Sequence, residues 1–471
     1  MDLGSLIAVE LNDAGLRCAR PGSGAAAMLE GDESPGFALL QEGRLLVGPQ
    51  AVERHRVAPL HVQNRFWSML GTEPLPWGTP GVTTAADLAH AQLSALLAPL
   101  VARGARELLL AVPPGYTREQ LGLLVGIANE CGVTTRGLVD LGVAACATVP
   151  PAPNMLHLDL QRHQAVATHV ERARADGVLR RVRYELLPGV GLLALRQRMA
   201  EAIATAFVRE TRFDPLHQSA TEQQLHDSLP AWLERLAVQE ETEAAIDFGG
   251  LTHRLVLQRA ALAAAVDAFS GELLRLVQSA RPAGVALHAC ITPRVASIPG
   301  LLERLATLRD CVTVMLAPGA AALGALQSAA HVVRAPDAIS LVHRLPLQGS
   351  PQEPAAALAD ALAAVPVGAV PTHVLFRGQA WPLTAEALTL GWSVGSGPRG
   401  LALPAGIAGV SRAHCTLRLV DGQARVEDCS TYGTFVNDER VAGSVALRVG
   451  DVLRLGTPGV TLDLIRVLGS G

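Results

Sequence analysis

The rhythm of glycine and aspartate changes once along this chain, and that change limits what the chain can fold into. Residues 1–335 alternate short apolar runs with longer, Ala/Leu/Arg-rich amphipathic stretches. Leu6–Leu11, Glu107–Val112, Met155–Leu160, Ala165–Val170 and Gly284–His288 read as strands. Thr84–Arg103, Thr117–Cys131, Leu192–Glu210, Glu222–Ala237 and Arg259–Ala280 read as helices, and Asp214-Pro215 as a helix-start signal. Such alternation predicts a layered α/β domain. From Thr372 onward, short strands separated by Gly and Asp turns predict an all-β sandwich. The stretch between is rich in Pro and Ala, with Gly349-Ser350-Pro351 as punctuation and Ala355–Ala364 as a short helical piece. The expected organisation is an α/β domain over 1–335, a connector over 336–369 and a β domain over 370–471.

Composition narrows the function. A chain of 471 residues, 49% apolar and 17% charged, is long enough for two or three packed domains and is not disordered. A net charge of −4 gives no electrostatic footprint for nucleic acid. There is no lysine, so all 39 basic residues are arginines, and chemistry that needs a lysine ammonium is excluded. Seven scattered cysteines without a C-x-x-C pair predict reduced thiols in a cytoplasm, not a disulfide framework or a zinc site. No basic segment precedes an apolar run at the N-terminus, and runs such as Ala321–Leu326 fall short of the roughly 20 residues of a membrane span. The expectation is a soluble cytoplasmic protein with no membrane partner. G-x-S-x-G, HExxH and Walker-type loops are absent. His157, His163 and His169 recur around one hairpin, but the intervening turn argues against a metal site. The carboxylate pairs Asp32-Glu33 and Glu240-Glu241 lie in polar stretches and read as solvated.

Near the C-terminus Ser411-Arg412-Ala413-His414 is followed by Ser430-Thr431-Tyr432-Gly433-Thr434-Phe435-Val436-Asn437, then by Gly450-Asp451-Val452-Leu453-Arg454-Leu455-Gly456. Three blocks in this order resemble the forkhead-associated (FHA) domain, a β-sandwich that reads phosphothreonine on partner proteins. The resemblance implies that Ser411 and Arg412 contact the phosphate, that Thr431 stands beside it, and that His414 braces the loop from inside. It gives Gly433, Asn437, Gly450 and Asp451 structural roles in turns. Two positions depart from the family. Its Gly-Arg pair is Gly395-Ser396 here, and the asparagine that holds the peptide backbone is Tyr432. Arg399, three residues on, is the expected substitute if its loop bulges. Without such a substitute the lost charge-assisted contact costs on the order of 1.5–3 kcal/mol, or ten- to a hundredfold in affinity.

The order of segments in 1–335 resembles the actin-like ATPase fold of DnaK-type chaperones. Leu108–Gln120 with the helix Leu121–Cys131, Asp140–Ala147, Gly189-Val190-Gly191, Ile298-Pro299-Gly300-Leu301 and Pro318–Leu326 fall where that family has its landmarks, and cover about two thirds of the chain. The phosphate-handling motifs depart from the pattern. The family's first Asp-Leu-Gly turn is Glu10-Leu11-Asn12-Asp13-Ala14-Gly15, and its second reads Asp159-Leu160-Gln161-Arg162-His163-Gln164. Paired glycines after Leu287 are replaced by Ala289-Cys290, and the catalytic lysine before Leu70-Gly71 is absent, with Arg65 and Trp67 nearby. By resemblance Glu10, Asp13 and Asp159 are the residues that would hold ATP and Mg²⁺.

Three readings follow. The first is a non-enzymatic bacterial adaptor that recruits a phosphorylated protein through its C-terminal domain, with a degenerate actin-like domain as scaffold and no cofactor. The second is an ATP-binding or slowly hydrolysing DnaK-like regulator of that binding. The third is an assembly protein in which neither site works.

Overall fold

A computed structural model describes residues 5–22, 27–41, 43–79, 81–173, 177–281, 285–334, 340–346, 370–376, 379–394, 399–403, 407, 409–437, 439–449, 451–457 and 459–465. The chain divides into two compact units, Met1–Ser350 and Pro351–Gly471. The helical piece expected at 355–364 lies outside the described residues.

Unit 1 holds two large mixed sheets built to one plan. The first contains β1 (Leu6–Glu10), β2 (Leu16–Pro21), β3 (Ala27–Ser34), β4 (Glu107–Val112) and β5 (Thr134–Asp140) in the order β5-β4-β1-β2-β3. The second contains β6 (Asn154–Leu160), β7 (Gln164–Arg172), β8 (Leu179–Pro188), β9 (Leu287–Ile291) and β10 (Cys311–Met315) in the order β10-β9-β6-β7-β8. In both, three antiparallel strands are followed by two parallel ones, entered through helical crossovers. The central strands are apolar on both faces because both faces are covered. LIAVE of β1 is buried throughout, as are the last five residues of ELLLAV in β4.

Helices cover these faces and start where the sequence places caps. Thr84 and Asp87 form a reciprocal capping box before Ala85–Ala102, as do Thr117 and Gln120 before Arg118–Glu130. Ala85–Ala102 is apolar and long enough to cross a membrane by composition alone, but Leu88, Ala89, Leu93 and Leu97 are fully buried in the core over the first sheet. Leu192–Thr211, Ser219–Val238 and Asp267–Ala280 pack with the second sheet. Between the sheets, Leu141–Cys146 meets Ala320–Gln327 so closely that a Cβ on Gly324 would stand 1.9 Å from the Ala144 carbonyl oxygen.

Three local expectations shift. Asp214-Pro215 forms a turn, with Asp214 Oδ1 accepting from the Leu216 amide, and the helix starts only at Ser219. The helix expected over 259–280 is broken at Val266. Leu341–Val342, placed in the connector from the sequence, pairs with β5, and Arg344–Leu345 pairs with β8, so this segment adds an edge strand to each sheet.

Unit 2 is a sandwich. One sheet runs Gln379–Pro382, His373–Phe376, Val460–Ile465, Val452–Leu455, Thr434–Val436, Glu439–Arg440. The other runs Gly400–Ala402, Leu388–Gly391, Cys415–Val420, Gln423–Asp428, Ser444–Ala446. Alternate residues face inward: Leu388, Leu390, Cys415, Leu417, Val426, Leu453 and Leu455 are fully buried in one core.

Candidate functional site

One end of the sandwich is organised around His414, which is fully buried. The Ser411 amide lies 3.0 Å from His414 Nδ1. An amide only donates, so Nδ1 accepts, and the proton sits on Nε2, which donates to the Gly433 carbonyl at 3.1 Å. One neutral imidazole thus ties the loop before Cys415–Val420 to the turn before Thr434–Val436. Burial holds its pKa below the ordinary histidine value, against the Gly433 hydrogen bond and the nearby Asp428 charge. The turn has further braces. Asp428 Oδ1 accepts from the Ser430 amide at 3.0 Å and the Thr434 hydroxyl at 2.8 Å, and Ser430 Oγ accepts from the Gly433 amide at 2.7 Å. Gly433 has φ +85°, which favours glycine.

The outward side of this brace carries the polar side chains that the sequence singled out. Ser411 Oγ accepts from the Thr431 amide at 3.2 Å, leaving its own proton to donate. Arg412 is exposed, with its guanidinium carbon 5.7 Å from the centre of the Trp392 ring. Thr431 and Tyr432 are exposed beside it, Tyr432 to 56%. Ser411, Arg412, Thr431, Tyr432, His414 and Gly433 are therefore brought together.

Three other expected residues are elsewhere. Arg399 Nε donates to Glu386 at 3.0 Å and Nη1 to the Pro382 carbonyl at 3.2 Å. This is the end of Leu388–Gly391 opposite Trp392, so the structure does not bring Arg399 to the Ser411–Thr431 loops: the strand pairing, with the Thr389 amide on its carbonyl, fixes it there. Asn437 and Asp451 hold the far end of Thr434–Val436. Asn437 Nδ2 donates to Asp451 Oδ1 at 2.8 Å and its Oδ1 accepts from the Val452 amide at 3.0 Å. Gly395, Ser396 and Gly450 lie outside the described residues.

Two side chains at the site escaped the sequence reading. Trp392 is 40% exposed beneath Arg412. Arg440, reaching back along Glu439–Arg440, puts its Nε 2.9 Å from where a Gly433 Cβ would stand. Among the described residues neither Arg412 nor Arg440 has a carboxylate partner, so two unneutralised guanidinium groups flank the Thr431–Gly433 turn. An exposed arginine on a short strand gives no pattern by which it could have been found.

In unit 1 the turns that follow β1 and β6 face each other directly. Asn12 Nδ2 donates to Asp159 Oδ2 at 2.7 Å and to the Leu160 carbonyl at 3.1 Å. The Arg162 amide donates to Asp13 Oδ1 at 2.6 Å, and its guanidinium binds the Asp13 and Ala14 carbonyls while stacking 3.9 Å over Phe37. Thr292 donates to Asp159 Oδ1 at 2.7 Å. Arg294 lies 3.7 Å from Glu10, 3.4 Å from Asp159 and 2.6 Å from Glu33, and donates to the Gly15 carbonyl at 2.8 Å. Glu33, read as solvated from the sequence, is thus a member of a half-buried charge cluster, held also by Arg17 at 2.9 Å. Burial raises the Glu33 pKa, but Arg294 and Arg17 outweigh it and hold the carboxyl below its usual range. For Glu10 and Asp13 burial wins and the pKa rises. Burial likewise pushes Arg162 down to about 9.

Glu10, Asp13 and Asp159 therefore come together, and each is satisfied from within. Beside Arg294, a cavity of about 40 Å³ is lined by Glu10, Glu33, His157 and Thr292, a space for one or two waters. The His157 Nδ1 that borders it has no hydrogen-bond partner among the described residues. On the outer side of the turns, a groove of about 750 Å³ is lined by His55, Arg56, Asn64, Arg65, Arg162 and His163. Trp67 is buried, its Nε1 donating to Gln92 at 2.7 Å.

No curated protein matches this chain. The FHA family model matches residues 392–456, the span that contains the His414 brace and both flanking loops. That segment of the chain is an FHA domain.

Proposed function

We propose that the protein is a non-enzymatic adaptor, active in a cytoplasm, that recognises a phosphothreonine-bearing protein partner. In this reading Ser411 Oγ and the backbone beside Thr431 receive the phosphate oxygens, and Arg412 and Arg440 supply its counter-charge. The observation that carries the reading is the brace itself: a buried neutral His414 fixes both loops, so Ser411 and Thr431 are positioned before any ligand arrives. With Ser396 at the family's arginine position and Arg399 engaged elsewhere, affinity is expected to be roughly ten- to a hundredfold below that of a domain with a full arginine clamp. Calorimetric titration of the full chain with phosphorylated and unphosphorylated forms of one peptide tests this. Binding of both forms with equal affinity would sink it.

Unit 1 is proposed to be a degenerate actin-like, DnaK-type fold used as scaffold. Support comes from the repeated strand order of its two sheets, from the facing turns at the ends of β1 and β6, and from the small-residue helices between the sheets.

A further inference from the structure

The fold resemblance implies a nucleotide with a divalent cation between the two turns, and the residues there do not fit one. A phosphate cradle needs backbone amides that point into open space. Here the Ala14 amide donates to Asn12 Oδ1, the Gly15 amide to the Asn12 carbonyl, the Gln161 amide to the Gln164 carbonyl, and the Arg162 amide to Asp13 Oδ1. Gly15, the one residue of the first turn small enough to admit a ligand, has its open side filled: a Cβ there would lie 2.0 Å from Glu33 Oε1. Carboxylates from both sheets converge beside these turns, Glu10 and Glu33 from the first and Asp159 from the second, and the positive charge between them is Arg294.

We infer that Arg294 is a resident counter-cation that closes unit 1 permanently, so that the closure is built into the chain and requires neither nucleotide nor metal. The geometry makes it a bridge and not a surface ion pair. Arg294 follows β9 of the second sheet, yet it holds Glu10 and Glu33 and the Gly15 carbonyl of the first. Its side chain is 11% exposed, and those of Glu10 and Asp159 are 6% and 3% exposed. Removing it strands Glu10 and Asp159 in a space with little water, while Glu33 keeps Arg17, and stranding buried charges is more costly than never having placed them there. It also removes the contacts by which the second sheet grips the first turn. Unit 1 is accordingly a fixed body rather than a switch that opens and shuts with a ligand.

The test is thermal unfolding of the full chain as wild type, Arg294→Met, Glu10→Gln and the double variant, each with and without millimolar Mg-ATP. The wild-type Tm should not move with Mg-ATP. Arg294→Met should lower it by roughly 4–7 °C. Glu10→Gln should lower the Tm in the wild type but raise it in the Arg294→Met background, because Glu10 has no cation besides Arg294 and the substitution there removes a stranded charge. Should Arg294→Met not fold, Arg294→Lys is compared in its place: retention of most of the wild-type Tm supports a counter-cation, whereas failure of the lysine variant as well assigns the residue to packing and overturns the proposal. A Tm increase of the wild type with Mg-ATP that Asp159→Ala abolishes would overturn it, as would equal losses from Glu10→Gln in both backgrounds.

Discussion

His414 shows how one buried side chain sets a binding surface it never touches. Its ring accepts from Ser411 and donates to Gly433, and both bonds require the neutral form. Since burial lowers its folded-state pKa, the stability it lends is present in full above the ordinary histidine value and is lost as pH falls below it. Nitrogen-15 NMR of the His414 ring should therefore show Nε2 protonated, Nδ1 bare, and a titration midpoint below that of a solvent-exposed histidine. A midpoint above it would contradict the brace. This residue was legible in the sequence because Ser411, Arg412 and His414 fall within four positions, and a contiguous motif carries its geometry with it. Arg294 was not legible. Its partners Glu33 and Asp159 are 261 and 135 positions away, and only the fold brings them together. The same distance hid Glu33, whose acidic neighbourhood in the sequence reads as solvated.

Among elements, helices with a cap at their start were read to within a residue, since Thr84 and Thr117 announce their own hydrogen bonds. Boundaries set by tertiary contact were not. Leu341–Val342 and Arg344–Leu345 are two-residue strands with no period to detect, and they exist because β5 and β8 offer free edges. Asp214-Pro215 has the chemistry of a helix start, but its side chain is spent on a turn. The crossing of Leu141–Cys146 and Ala320–Gln327 depends on absent side chains. Gly324→Ala adds a Cβ against the Ala144 carbonyl, a backbone atom that cannot rotate away. The gain in helix propensity is about 1 kcal/mol, and overpacking against a fixed backbone atom costs about 2–3 kcal/mol, so a net loss of about 1–2 kcal/mol is expected. Urea unfolding of the variant checks this, and an unchanged midpoint would mean that the helices do not cross there.

For the whole molecule, the two units carry two different kinds of completeness. In the turns of unit 1 the Ala14, Gly15, Gln161 and Arg162 amides and the carboxylates are engaged within the protein, while the described residues of the FHA domain leave a serine proton and two guanidinium groups unspent. An adaptor built this way should bind a phosphopeptide with the same Kd in the absence and presence of millimolar Mg-ATP. A change beyond about threefold, or roughly 0.6 kcal/mol, would instead favour an ATP-responsive regulator. The division into an α/β part and a sandwich could be read from the sequence because each has its own period. Arg440 beside Gly433 was not visible there, since no spacing rule links a strand residue to a turn seven positions earlier.

The central claim is that the His414-braced loops read a phosphate. The measurement that tests it most directly is binding of the full chain to a degenerate phosphothreonine peptide library, beside its unphosphorylated counterpart and the Ser411→Ala variant. Selective capture of phosphorylated peptides, lost in Ser411→Ala by roughly tenfold or more, is the result the account predicts. Equal capture of both libraries, or selectivity that survives Ser411→Ala unchanged, would contradict it.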